Sequence, residues 1–265
     1  METIQVMKQF YENYDEENRL SSAYGNVEFL TTLRYIEKYL RPGMRILEIG
    51  AATGRYSHYF AQQGYHVDAV ELLEHNIEIF RKNTKPGENI TITQGNAKDL
   101  SAFEEDTYDI TLVLGPLYHL FTEEEKLQAL SEAIRVTKKG GILFCAYCMG
   151  DASVLLYGFR RGMIRDLMEK CKLDPVTFHT FSEPWDLFEL HRIEDIEALR
   201  SHFPVTPLHL VATDGYANHM REALAEMDAE TFDLYLRYHF ATCERQDMIG
   251  YSNHTLDIFR KESLC

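Results

Sequence analysis

Apolar positions first recur at helical spacing along this chain. Ile4, Met7, Tyr11 and Tyr14 form one stripe, and Phe29, Leu33, Ile36 and Leu40 form another. Arg41, Pro42 and Gly43 break that pattern, and from Met44 short apolar runs alternate with amphipathic stretches. The runs predict strands at 45–49, 66–70, 90–93, 108–114 and 141–147, with helices opening at Arg55, spanning 74–83 and opening after Thr122. Thr122 and Glu125 have capping-box spacing, Leu127, Leu130 and Ile134 supply that helix's buried face, and 138–141 (KKGG) read as its cationic, flexible stop. Strand and helix in alternation predict an α/β protein with a parallel sheet covered on both faces.

Residues 148–204 interrupt the alternation. Leu156, Phe159, Met163 and Leu167 suggest one helix, and Ile196, Leu199 and Phe203 another. The aromatics between them (Phe178, Phe181, Trp185 and Phe188) read chiefly as the core of an inserted helical cap, with some left to line a pocket. Strand periodicity returns at 206–213 and 253–260, on either side of a helix over 229–246 with Phe232, Leu236, Phe240 and Cys243 on one side. The organisation expected is an N-terminal helical segment (1–43), a core (44–147), a helical insertion (148–204) and a C-terminal part of the core sheet (205–265).

With 45% hydrophobic and 26% charged residues, the 265-residue chain can bury a sizeable core and is not of disordered composition. Its net charge of −15 argues against a general grip on nucleic acid, which needs clustered Lys and Arg. The N-terminal run METIQVMKQFYENYDEEN lacks an apolar signal core, and the longest apolar run, 142–149, is too short to span a bilayer. A cytoplasmic protein without a membrane partner is expected. Five cysteines make no paired framework, and Cys145 and Cys148, three apart on a strand, point to opposite faces rather than to a shared metal.

The chemistry begins at residues 46–57, ILEIGAATGRYS: a short strand ending in an acid, a turn of small residues, and a helix start. Such a turn lets backbone amides approach a nucleoside-bearing ligand closely. A nicotinamide-type turn needs glycines at its first, third and sixth positions, whereas Gly50 is followed by Ala52 and Arg55 at those places. A GxxxxGK[ST] phosphate loop is also absent after Gly50. Glu48, Gly50, Ala52 and Gly54 read instead as ExGxAxG. This resembles the ExGxGxG signature of class I S-adenosylmethionine (SAM) methyltransferases, over about residues 44–147.

That resemblance implies a Rossmann-like, seven-stranded, mostly parallel sheet with its last strand antiparallel. It also implies lid segments before the first strand and between the fifth and sixth. Gly50, Ala51, Ala52 and Gly54 would then pack on the methionine and ribose part of SAM, and Glu48 would help hold its ammonium. Glu71, about twenty residues past the turn at a strand end, would accept the ribose hydroxyls, with Leu72 on the adenine face. Asn96, where the family has Asp, would accept from the adenine amino group, and the Ala97 amide would donate to the ring. Leu114 and the following Tyr118 and His119 would face the reacting sulfonium. His119 is the candidate base by position and ordinary pKa, or else only a cofactor contact.

Tyr11, Tyr14 and Arg19 lie in a segment able to fold over the cofactor, and with Trp185 they are the candidate substrate contacts. Arg19 reads first as a solvated helix end and second as partner for a carboxylate. Arg160, Arg161 and Arg165, the basic cluster of the insertion, read first as a solvent face and second as an anion site. No acid stands in GPLYHL, which argues against a divalent metal beside the acceptor, and no Asn/Asp-Pro-Pro-Tyr motif for flipped bases is present. The sequence thus points to transfer of a methyl group to a small, partly apolar molecule. The alternatives are an RNA or protein methyltransferase and a SAM-binding regulatory protein without turnover.

Overall fold

The computed structural model describes residues 3–262. Seven strands run in the order β3-β2-β1-β4-β5-β8-β7: β1 (Arg45–Ile49), β2 (His66–Glu71), β3 (Ile90–Gln94), β4 (Tyr108–Val113), β5 (Thr137–Met149), β7 (Val205–Ala212) and β8 (His254–Lys261). A two-residue strand, β6 (Leu190–His191), joins β5 off this path. Pairing is parallel from β3 to β5, and β8 runs antiparallel to both β5 and β7. The expected mixed sheet is therefore present, with an eighth short strand contributed by the insertion.

The parallel strands are near-continuous apolar runs because both faces are covered. Ile46, Leu47, Ile110, Leu112, Leu143 and Phe144 are completely inaccessible to solvent. Helix α1 spans Thr3–Tyr11, α2 Glu16–Arg19, α3 Ala23–Tyr39, α4 Arg55–Gln62, α5 Glu74–Asn83 and α6 Glu123–Val136. Phe29, Leu33, Tyr35 and Ile36 of α3 join the main core, and the Phe29 ring lies 5.1 Å from that of Tyr56 on α4. Of the N-terminal segment, α1 exposes one side along its whole length and buries no residue fully.

Several expectations change. First, the run 138–141 is not a helix stop: α6 ends at Val136 and β5 already begins at Thr137. Thr137 donates its hydroxyl back to the Ala133 carbonyl, closing the helix, while β5 bulges between its pairings Thr137↔Tyr108 and Ile142↔Ile110. Gly140 supplies the positive φ (78°) inside that bulge. Second, the capping box is half formed. The Thr122 hydroxyl accepts from the Glu125 amide, but the Glu125 carboxylate reaches Lys98 Nζ at 2.7 Å. Third, the insertion's aromatics do not make a core: Phe178, Phe181 and Trp185 are exposed, and of that group only Phe188 turns inward. The insertion folds instead as helical turns over Gly150–Ser153 and Val154–Arg160, a helix Ile164–Glu169, an irregular stretch, and a helix Ile193–Ser201. The predicted helix over 229–246 ends at Thr242.

Cys145 and Cys148 are both buried free thiols. Their strand partners are Asp257 and His254, three positions apart in turn, so they face opposite sides of the sheet as expected.

Candidate functional site

Parallel strands place ligand-facing loops beyond their carboxyl ends. At that edge of β1, β2 and β4 lies a cavity of 510 Å³. Its floor is the 50–53 turn. Gly50 and Gly54 have φ of 76° and 89°, and a Cβ on Gly50 would come within 2.6 Å of the Pro116 ring. Ala52 holds φ 47°, a left-handed conformation uncommon for a residue with a side chain. It is fixed there because the Ala52 amide donates to Glu71 Oε2 at 2.8 Å.

Two carboxyl groups stand at the strand ends. Glu71 is buried and accepts a second bond from the Leu73 amide at 2.9 Å and a third from Asn76 Nδ2 at 3.3 Å. Burial raises its pKa, while these donors act in the opposite direction. Glu48 is more deeply enclosed and accepts from the Ser57 hydroxyl. Burial pushes Glu48 up to about 8, against the pull of that hydrogen bond. At neutral pH the free protein therefore holds Glu48 chiefly as a neutral acid, ready to ionise beside an incoming cation.

On the β3 side, Asn96 Oδ1 accepts from the Lys98 amide at 3.0 Å. Asn96 thus shapes its own turn, and Ala97 and Lys98 join it in the cavity wall with Leu72 and Leu114. At the β4 side, a 3-10 turn Pro116–His119 brings Tyr118 and His119 into the wall. Tyr118 is anchored by donating its hydroxyl to the Leu114 carbonyl at 2.9 Å.

His119 is almost fully buried. Nδ1 lies 2.9 Å from the Leu187 carbonyl, an acceptor only, so Nδ1 carries the proton. Nε2 is then an acceptor and takes the Tyr11 hydroxyl at 3.0 Å. Burial pushes the His119 imidazole down to about 4, so it is neutral. Tyr11, on α1, closes the cavity from the N-terminal segment.

The candidate residues therefore separate. Glu48, Gly50, Ala51, Ala52, Glu71, Leu72, Asn96, Ala97, Leu114, Tyr118, His119, Tyr11 and Arg19 line one cavity. Gly54 lies behind the turn, where a Cβ would come 2.5 Å from the Phe80 ring. Tyr14 stacks on Phe10 at 4.8 Å near the surface, and Trp185 is 57% exposed with Lys172 Nζ 5.5 Å from its ring. Neither reaches the cavity wall. Arg19 is not a solvated helix end: it is mostly enclosed, with Glu28 at 2.8 Å and Glu16 at 3.0 Å.

Beyond Arg19 lies a partly buried charge network that sequence reading missed. His254 Nδ1 lies 3.3 Å from both Glu28 and Asp214, and Asp214 also accepts from Ser252 and the Asn253 amide. Despite burial, Arg19 and His254 hold Glu28 well below the usual carboxylate range. Glu28, Asp214 and His254 have the spacing of metal ligands, but Arg19 and the His254 imidazolium already use their acceptor oxygens. Network members come from α2, α3, a loop and β8. Only the i,i+3 spacing of Glu16 and Arg19 offers a local signal, and it went unread.

The matches to known proteins agree with this geometry. Residues 46–141 match the family model described as a methyltransferase domain. The chain is 30% identical to a demethylmenaquinone methyltransferase of Clavibacter sepedonicus over 55% of this chain and 58% of that protein. It is 31% identical to a SAM-dependent Diels-Alderase of Talaromyces variabilis over 38% of this chain and 35% of that one. These matches thus span between a third and three-fifths of the curated relatives' length. Among solved structures, a SAM-dependent methyltransferase from Methanosarcina mazei superposes with a TM-score of 0.56 at 19% identity, covering 87% of this chain and 98% of its own. Residues 46–141 thus match a methyltransferase domain, set in a chain whose sheet has the fold of a solved SAM-dependent methyltransferase.

Proposed function

We propose that the protein transfers a methyl group from SAM to a small, partly apolar molecule bearing a ring hydroxyl. One observation carries this reading: a single cavity has buried Glu48 and Glu71 at its strand-end floor and the Tyr11–His119 pair at its other wall. Its 510 Å³ lies within the usual range for small-molecule sites.

SAM, when bound, supplies an activated methyl group on sulfur. The chain's own residues do the rest. Glu71 would accept the ribose hydroxyls, Gly50 would admit the ligand close to the backbone, and Leu72 and Ala97 would flank the adenine. Glu48 would hold the ammonium end and ionise on doing so. His119 Nε2 receives the acceptor hydroxyl in place of, or through, Tyr11. Full proton transfer from a phenol of pKa about 10 to an imidazole held near 4 would cost about 8 kcal/mol. His119 therefore orients the hydroxyl and takes its proton only as the new bond forms, so most of the rate comes from orientation and exclusion of water.

The cations in the wall are already engaged: Arg19 with Glu16 and Glu28, Lys98 with Glu125, Arg55 over the Phe29 ring. This weighs against an RNA acceptor, which needs free cationic side chains. The demethylmenaquinone name of one relative supports a quinol-like acceptor. A second reading, a SAM-dependent cyclisation in the same cavity, draws support from the Diels-Alderase name of another. Incubation with naphthoquinols and SAM, followed by mass analysis, separates them: methyl transfer yields S-adenosylhomocysteine in equal amount to product, and cyclisation yields none.

A further inference from the structure

We propose that residues 154–165 (VLLYGFRRGMIR) dock this protein onto an anionic lipid surface. The inference rests on the insertion's surface and is independent of the methyl-transfer reading.

Four large apolar side chains in this short run are exposed: Leu155 at 37%, Tyr157 at 40%, Phe159 at 56% and Met163 at 41%. A soluble surface carries such residues singly without consequence, but four within the nine residues 155–163 point to an interaction face. The same run has three arginines and no acid, in a chain of net charge −15. Arg160 has Glu222 at 4.0 Å, and Asp166, just past the run, pairs with Lys170 Nζ at 3.0 Å, so Arg161 and Arg165 are the cations this face offers; charges beyond about 8–10 Å are screened at physiological salt. The Arg161 guanidinium lies 4.5 Å from the centre of the Tyr157 ring, joining cation and aromatic at one spot. Aromatic and cationic groups beside aliphatic ones match the headgroup boundary of a bilayer.

The backbone favours a lipid partner over a protein one. At the tip of the turn the Arg161 amide donates to the Leu156 carbonyl at 3.0 Å, the Gly162 amide to Phe159 and the Met163 amide to Tyr157, both at 3.2 Å. The wide turn satisfies these amides internally, with Gly162 at φ 74°, so it can leave water without exposing unpaired N–H groups. The segment also follows Met149, the carboxyl end of β5, after one helical turn (Gly150–Ser153), and that sheet edge bears the cavity. No helix among the described residues is long and apolar enough to cross a membrane, and this surface would lie on one instead.

Flotation of the full chain with phosphatidylcholine vesicles, with and without phosphatidylglycerol, tests the proposal. The protein is expected to float only with the anionic vesicles. Arg161→Glu with Arg165→Glu should lower partitioning at least about tenfold, since each cation near such a surface is worth roughly fivefold. Phe159→Ser should lower it as well. Arg160 is left unchanged because its guanidinium bonds the His219 carbonyl. SAM affinity measured on each variant should stay within about twofold of the parent, which confirms folding and keeps this test apart from that of the cavity. Absence of the parent from anionic vesicles, or equal flotation of the variants, overturns the proposal. So does sedimentation showing a dimer that Phe159→Ser dissociates without any vesicle binding, which would assign the face to a second copy of the chain.

Discussion

Replacing Glu71 with alanine should cost SAM affinity by an amount that the structure allows to be worked out. In the free protein the carboxylate accepts from the Ala52 and Leu73 amides and from Asn76. A bound ribose would add two hydroxyl donors. Hydrogen bonds to a charged group contribute about 1.5–3 kcal/mol each, so the gross loss is about 3–6 kcal/mol. Water entering the vacated space restores part of it, leaving about 3 kcal/mol, or roughly a hundredfold in Kd. Titration calorimetry with SAM reads this directly. Glu71→Gln, which keeps the shape and one acceptor, should fall between parent and alanine variant. A SAM analogue lacking the 2′-hydroxyl should bind the parent more weakly than SAM does, yet lose little further in Glu71→Ala. Near-native thermal unfolding of the glutamine variant guards against a folding artefact. A folded Glu71→Ala protein whose SAM Kd lies within about threefold of the parent would refute the assignment.

The remaining predictions concern the turn, the two buried acids and the histidine. Gly50→Ala forces a Cβ to 2.6 Å from Pro116 at φ 76°, so it should destabilise the fold by about 1–3 kcal/mol in urea unfolding and abolish measurable SAM binding. With Glu48 held up to about 8, roughly nine-tenths of it is protonated at pH 7, and its ionisation beside an ammonium should release nearly one proton per SAM bound. Calorimetry in buffers of different ionisation enthalpy counts that proton, and a count of zero would remove Glu48 from the ammonium site. His119 has a folded pKa of about 4 against about 6.5 unfolded, so its stabilisation is present above pH 6.5 and is lost as pH falls towards 4. Urea unfolding should show about 2 kcal/mol of that loss between pH 7 and 5, absent in His119→Asn. Tyr11→Phe should leave SAM affinity unchanged and lower kcat, and an unchanged kcat would detach the Tyr11–His119 pair from the acceptor.

Much of the cavity wall assigned here to the cofactor was legible as position because it is local. The acid, the glycine turn and Glu71 are fixed by strand ends, and strand ends follow from apolar runs of the right length. Asn96 was legible as a position but not as a geometry, since its oxygen is drawn into its own turn by the Lys98 amide. The acceptor half was less legible because it is assembled from distant segments. Tyr11 and His119 are 108 residues apart, and the carbonyl that sets the His119 tautomer belongs to Leu187 in the irregular part of the insertion. Arg19 reads as solvated in FYENYDEENRL because nothing local reveals Glu28 and His254 closing over it. The start of β5 was misread for a different reason. Lys and Gly are poor strand formers, and only the bulge opposite Tyr108 accommodates them.

Transfer of a methyl group from SAM to a small molecule in this cavity can be measured without knowing the acceptor beforehand. Methyl-labelled SAM, the purified protein and a fractionated small-molecule extract provide the most direct measurement, with mass analysis of labelled products and quantitation of S-adenosylhomocysteine. The account predicts label in an apolar, hydroxyl-bearing product, S-adenosylhomocysteine in equal amount, and loss of both in Glu71→Ala. Tight SAM binding with no label transferred and no S-adenosylhomocysteine formed would contradict it.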